Sequence, residues 1–192
     1  MEVIQTFVNF CTDIISNGGF FFGFILILLE SFLPVLPLGV FVALNVNAFG
    51  GIVGIILSWI ATCLGCFLSF TFFSFISEKL LVKVLSEKNL KKVEKAIVKF
   101  RSISFSNLVL VVALPFTPAF LVNIICGIAR MSRRKFIAAI ITGKVFMLIF
   151  WGYVSKSFIE SMTDINTIII ISLMLLVAYV ISKIVSKKVD LE

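Results

Sequence analysis

The length of its uncharged runs constrains this chain more than any other feature. Ser31–Ser77 is 47 residues without an acidic or basic side chain, Ser102–Ala129 is 28 and Ile165–Ser182 is 18. A bilayer-spanning helix needs about 20 apolar residues. With 60% of its 192 residues hydrophobic and 14% charged, the chain has too little polar surface for a dissolved domain. The fold class is therefore an all-α polytopic membrane protein, and a soluble enzyme is excluded.

Proline placement divides those runs. All four prolines fall in two copies of one pattern, Pro34-Val35-Leu36-Pro37 and Pro115-Phe116-Thr117-Pro118. Proline lacks a backbone donor and turns its predecessor away from helix, so each pair breaks an apolar stretch. The first stretch becomes Phe20–Leu33, Leu38–Ala48 and Gly51–Ser77; the second becomes Ser102–Leu114, Ala119–Ala129 and Phe136–Ser157. Pieces of 11–14 residues reach about 17–21 Å as helix, short of a ~30 Å hydrocarbon core, whereas the third piece of each set can cross. Short broken pieces in matching positions of two halves mark an internal repeat with re-entrant hairpins. The expected organisation is an N-terminal amphipathic segment (1–19), repeat one (20–77), a basic linker (78–101), repeat two (102–158), a last crossing (165–184) and a tail (185–192). Each repeat is a hairpin plus a spanning helix.

Charge orients this scheme. Glu78–Arg101 carries eight basic residues against three acidic ones; Arg130, Arg133, Arg134 and Lys135 form a second cluster, and Lys183, Lys187 and Lys188 a third. With hairpins that enter and leave by one face, all three clusters fall on one side, the cytoplasmic one by the positive-inside rule. The repeats then run antiparallel, with the N-terminus outside and the C-terminus inside a bacterial cell membrane. Four full spans in place of two hairpins give the same sidedness; the short lengths and paired prolines favour hairpins. The net charge of +7 needs no nucleic acid to explain it, and anionic lipid headgroups are the expected partners. Self-association into a homo-oligomer is compatible with this layout. Within the linker, Leu90, Val93, Ile97 and Phe100 at helical spacing suggest either an amphipathic helix on the inner leaflet or a solvated connector.

Other chemistry is narrowed by absence. The chain holds no His, which removes His-ligated metals, Ser-His and Cys-His nucleophiles and imidazole relays. No catalytic residue, metal or cofactor is expected, and the chain is not read as an enzyme. Met1–Gly19 has no Lys or Arg, unlike a cleaved signal peptide, and is expected to be retained.

Glu30-Ser31-Phe32-Leu33-Pro34-Val35-Leu36-Pro37 with Asn45, Asn47, Gly50, Gly51 and Gly54 resembles the first half of the VTT-domain (DedA / SNARE-associated Golgi protein) superfamily. Pro115-Phe116-Thr117-Pro118, Asn123, Gly127, Phe136 and Thr142-Gly143 resemble its second half, on the VTT branch rather than among the DedA proteins proper. The resemblance spans roughly Gly19–Phe158. It implies two membrane-embedded hairpins meeting from opposite faces and a role in moving lipids across the bilayer, phospholipids or polyprenyl-phosphate carriers. A second acidic residue near Gly39-Val40 and arginines near Val112 and Pro118, present in DedA proteins, are absent here.

Several residues stand out. Glu30 is a carboxylate inside an apolar arm, and Lys144 is an amine about 12 Å into a spanning helix; each is expensive there and must face a cavity, pair, snorkel or be neutral. Glu30 and Lys144 as a mid-depth pair that can release a charge for a lipid phosphate is the sharpest expectation. The competing reading of Lys144 is a side chain reaching the inner headgroups. Arg130 and Arg133 at the inner mouth suit headgroup capture, though topology charge explains them as well. Asn45, Asn47, Thr117, Asn123 and Gly127 flank the breaks Pro34, Pro37, Pro115 and Pro118. Their polar side chains are expected to satisfy backbone groups freed by the prolines, with substrate contact secondary. Cys63-Leu64-Gly65-Cys66 has redox-motif spacing but lies within a long apolar helix, where small residues for close packing are the better reading. A lipid flippase or scramblase, with or without proton coupling, is the favoured function. A non-transporting membrane-organising or assembly factor and a small-solute or ion transporter stay open.

Overall fold

Helix ends follow the prolines and the charges. The computed structural model describes residues 18–33, 38–75, 87–115 and 119–160, with further helical positions at 176, 177, 179, 180 and 183. Among these there is no strand. The helices are α1 (Gly18–Phe32), α2 (Leu38–Phe49), α3 (Gly51–Ser74), α4 (Glu87–Ser102), α5 (Phe105–Ala113), α6 (Ala119–Ile128) and α7 (Arg133–Glu160). Pro34, Pro37, Thr117, Pro118, residues 1–17, most of the expected last crossing and the tail lie outside the described residues. Helix α3 ends three residues before the expected Ser77, and α7 extends three residues beyond each end of Phe136–Ser157.

Two helices, Gly51–Ser74 and Arg133–Val154, are long and apolar enough to cross a membrane. The faces of the first are inverted relative to a soluble core helix. On α3 the buried side is, apart from Phe70, small or polar, including Gly54, Ser58, Ala61, Thr62, Gly65 and Ser69. Its exposed side is a ridge of Ile52, Ile56, Ile60, Leu64, Leu68 and Phe72 at intervals of four. Lipid tails are as apolar as leucine, so burying such side chains gains little there. Small residues that let backbones approach hold the bundle instead.

The long helices pack antiparallel. Gly152 lies against Ile55, and Phe70 stacks on Phe136 with ring centroids 4.2 Å apart. The Trp59 indole donates a 3.1 Å hydrogen bond to the Ile141 carbonyl. The registers of the short helices come from glycine contacts. A β-carbon on Gly65 would meet the Leu28 carbonyl oxygen at 2.5 Å, and one on Gly143 would meet that of Val109 at 2.9 Å. Leu28 precedes Pro34 by six residues and Val109 precedes Pro115 by six, so the two first arms meet their own long helices at matching places. Gly23 sits against Asn45 and Phe49, and Lys135 Nζ donates to the Ile103 carbonyl. Thus α1 runs along α3, from Gly23 near its start to Phe32 beside Phe72 with ring centroids 5.9 Å apart, and α5 starts level with the first turn of α7.

The second arms cross over. Helix α2 packs on α3 and on α7, and α6 packs on α3 and α4. The turn from α2 into α3 is the single residue Gly50, whose φ of 83° suits glycine. Helix α4 forms within the linker, and part of its apolar face packs on the bundle: Ile97 packs with Ile128 and Ala129 at the end of α6, and Phe100 enters the main core.

Candidate functional site

Three apolar clusters form among the described residues, and a polar seam separates the two larger ones. One cluster includes Cys66, Phe70, Leu108, Val122, Phe136 and Ile140. The other includes Ile27, Phe41, Val42, Val46, Ala61 and Leu148. Along α3 the change from one to the other falls between Ala61 and Cys66, and along α7 between Ile140 and Leu148. Thr62 and Lys144 occupy those gaps, both fully buried. Thr62–Cys63 is the midpoint of the 24-residue α3, and Gly143–Lys144 is the midpoint of the 22-residue span Arg133–Val154. The seam therefore lies halfway along both long helices.

Lys144 has 0% of its surface exposed. Its Nζ donates a 3.1 Å hydrogen bond to Met147 Sδ, a weak acceptor, and it lies within electrostatic reach of Cys63. Glu30 is buried too and is not without a partner. The effective penalty for burying one charge is several kcal/mol after relaxation, and a thioether offsets little of it.

Further hydrogen-bonding groups are buried without a partner among the described residues: Ser31 Oγ, Thr62 Oγ1, Ser69 Oγ, Asn45 Oδ1 and both amide atoms of Asn123. Ser31 is beside Gly65 at seam level. Buried polar atoms are ordinarily satisfied, so a set of orphans in one bundle signals water or a ligand group. Sequence reasoning missed Ser31, Thr62, Ser69 and Met147. The spacing of Ser58, Thr62 and Ser69 on one face of an apolar helix was the available signal.

The asparagines part company. Asn45 Nδ2 donates to the Gly23 carbonyl and to Ser58 Oγ, both at 3.3 Å, and Ser58 Oγ donates to the Gly54 carbonyl at 2.6 Å. Asn45 thus ties α1, α2 and α3 together. Asn47 is exposed, and Asn123 is fully buried. Gly127 is packed with its Cα against the Phe70 carbonyl, where a β-carbon would sit 2.6 Å from the oxygen. Cys63 and Cys66 are free thiols flanking the close contact at Gly65, in keeping with a packing role.

At the basic end, α6 closes in a Schellman turn. Arg130 N–H donates to the Gly127 carbonyl and Met131 N–H to that of Cys126, with Arg130 at φ 51° in the left-handed region. Glycine is usual there, so a side chain is held at some conformational cost. Arg130 and Arg133 are both exposed.

Residues 36–157 match the family model of the VTT domain. The chain belongs to the VTT-domain family. It is 35% identical over 161 residues to the uncharacterized membrane protein YhjE of Bacillus subtilis (strain 168), covering 82% of this chain and 75% of that protein. It is 29% identical over 138 residues to the uncharacterized protein YqeD of the same organism, covering 69% of this chain and 64% of that one. No solved structure gives a significant match. The VTT match takes in α2 through most of α7 and so contains Thr62, Asn123 and Lys144; Glu30 and the rest of α1 precede it. The chain is thus a member of a membrane-protein family linked to transport, and every element among its described residues is a helix.

Proposed function

We propose that this VTT-domain protein moves an amphipathic, anionic lipid across the bilayer, as a flippase or scramblase. The observation that carries the reading is the mid-depth seam: a fully buried ammonium, with the Thr62 and Ser31 hydroxyls at the same level lacking a partner among the described residues, placed where a crossing headgroup is farthest from water. A phosphate passing there exchanges its hydration for Lys144 and the seam's donors, while its tails stay in the bilayer. No chemical conversion belongs to this proposal.

The proposal takes the two halves as inverted repeats. The short helices of 15, 12, 9 and 10 residues reach only about 14–23 Å, too little to cross. The matched glycine contacts of Gly65 and Gly143 support hairpins that dip in from opposite faces. The cationic end, with Arg101, Arg130, Arg133 and Arg134, is assigned to the cytoplasm of a bacterial cell.

The test is leaflet exchange in proteoliposomes, with fluorescent phospholipid and polyprenyl-phosphate probes compared with and without a pH gradient. Exchange of either class above protein-free vesicles, lost in Lys144→Gln, supports the proposal, and dependence on the gradient identifies proton coupling. Exchange of neither class refutes it and leaves an assembly factor; solute uptake without lipid exchange indicates a solute transporter.

A further inference from the structure

A cleft of about 210 Å³ opens between α3 and α7, lined by Leu64 and Phe67 on one helix and Phe136, Ile137 and Ile140 on the other, with Cys63 at its mid-span end. We infer that this cleft is a lipid site: it seats one hydrocarbon chain of an anionic phospholipid whose phosphate is held by Arg133. The inference deepens the transport reading and depends on it only in taking the seated lipid as the one that is moved.

The occupant follows from the lining and from what stands at each end. Every lining side chain is apolar, and Leu64 and Ile141 on its rim are exposed on the lipid-facing side of the bundle. The cleft runs along the bundle, from the seam at Cys63 to Phe136, one turn from the start of α7. Arg133 occupies that first turn and shares a helical face with Ile137, Ile140 and Ile141 by the spacing i, i+4, i+7, i+8. It stands about 6 Å along the axis from Ile137 and is exposed. The guanidinium fork suits a phosphate. The neighbouring cations suit it less: Lys135 Nζ is engaged by the Ile103 carbonyl, and Arg134 is displaced about 100° around the helix. A positive group at the helix end above an apolar slot directed to mid-depth matches the polarity of one leaflet lipid, headgroup outermost and chain inward. The inner end of the slot is Cys63, within electrostatic reach of Lys144, so a lipid seated here has the seam as its next station.

The experiment is photolabelling in vesicles with phosphatidylglycerol carrying a diazirine in mid-chain, with adducts mapped by mass spectrometry. Adducts should concentrate on Leu64, Phe67, Ile137 and Ile140 over Ile52 and Ile56, which belong to the same exposed ridge of α3 but lie outside the cleft. Unlabelled phosphatidylglycerol should suppress them about tenfold better than phosphatidylcholine, and Arg133→Gln should lower them about tenfold. Ile137→Trp fills the slot and should remove adducts at Leu64 while labelling at Ile52 persists, which also reports that the variant is folded. Equal labelling inside and outside the cleft, or labelling indifferent to headgroup and to Arg133→Gln, overturns the site, as does a cleft that stays unlabelled. Selective labelling in a protein that exchanges no lipid upholds the site and refutes the transport reading; exchange with an unlabelled cleft does the reverse.

Discussion

Lys144→Met exchanges a fully buried ammonium for an uncharged side chain of nearly the same length. The structure supplies both sides of the comparison. What is lost is one hydrogen bond, to Met147 Sδ, worth about 0.5–1.5 kcal/mol at most for so weak an acceptor. What is removed is the penalty of holding a fully buried charge, several kcal/mol in real proteins. Volume is conserved, so no cavity or overpacking enters. The net expectation is a gain of about 1–4 kcal/mol in stability, the range seen when buried ionic groups give way to apolar residues of similar size. Unfolding in nanodiscs, followed for the two proteins side by side, measures it, with about 1.4 kcal/mol for each tenfold change in the equilibrium constant. The same variant should lower leaflet exchange at least tenfold, because the group that receives the phosphate is gone. A variant less stable than the parent by 1 kcal/mol or more would refute the reasoning, since it would mean that Lys144 has a compensating partner and serves structure.

Other substitutions test other parts. Gly65→Ala and Gly143→Ala place a methyl group against a backbone carbonyl that cannot step aside; each should destabilise by about 1–3 kcal/mol, whereas Gly51→Ala, with open space around it, should not. Asn45→Ala removes the bonds to Gly23 and Ser58 and should cost about 1–2 kcal/mol, with faster amide exchange in α1 as the local readout. Arg130→Gly relieves the left-handed backbone at the end of α6 and should stabilise by about 0.5–1 kcal/mol, the relief less the extra unfolded-state entropy; if Arg130 captures headgroups, exchange of anionic lipid slows in the same variant while exchange of zwitterionic lipid does not.

Helix ends were readable where covalent chemistry imposes them. Proline acts on its own residue and its predecessor, so the pieces expected at Leu38–Ala48 and Ala119–Ala129 meet the observed Leu38–Phe49 and Ala119–Ile128 to within one residue. The ends of α7 were less readable, because hydropathy marks the thickness of oil and not the length of helix: Arg133, Arg134 and Lys135 are good helix formers that extend it past the apolar limit. The environment of Lys144 was out of reach. Its place opposite Cys63 depends on the register between two helices about 80 residues apart in sequence, and no local pattern encodes that. The same holds for Asn123, which reads identically whether satisfied or orphaned, and for α4, whose period shows an apolar face without saying what covers it. Arg130 was visible as a charge and invisible as a cap, since the turn it closes is usually announced by glycine.

The crossing of the second arms has a consequence for assembly. Helix α6 comes from the second half of the chain yet rests on α3 of the first, with Gly127 against the Phe70 backbone, and α2 of the first half rests on α7 of the second, with Gly39 under Trp151. Each half therefore carries a surface that only the other completes. During synthesis the first half must wait, its α3 groove filled by lipid, until α6 emerges and displaces it. A chain cut within residues 78–86 should regain its fold only when both fragments share one membrane, like two hands that hold because the fingers interlace.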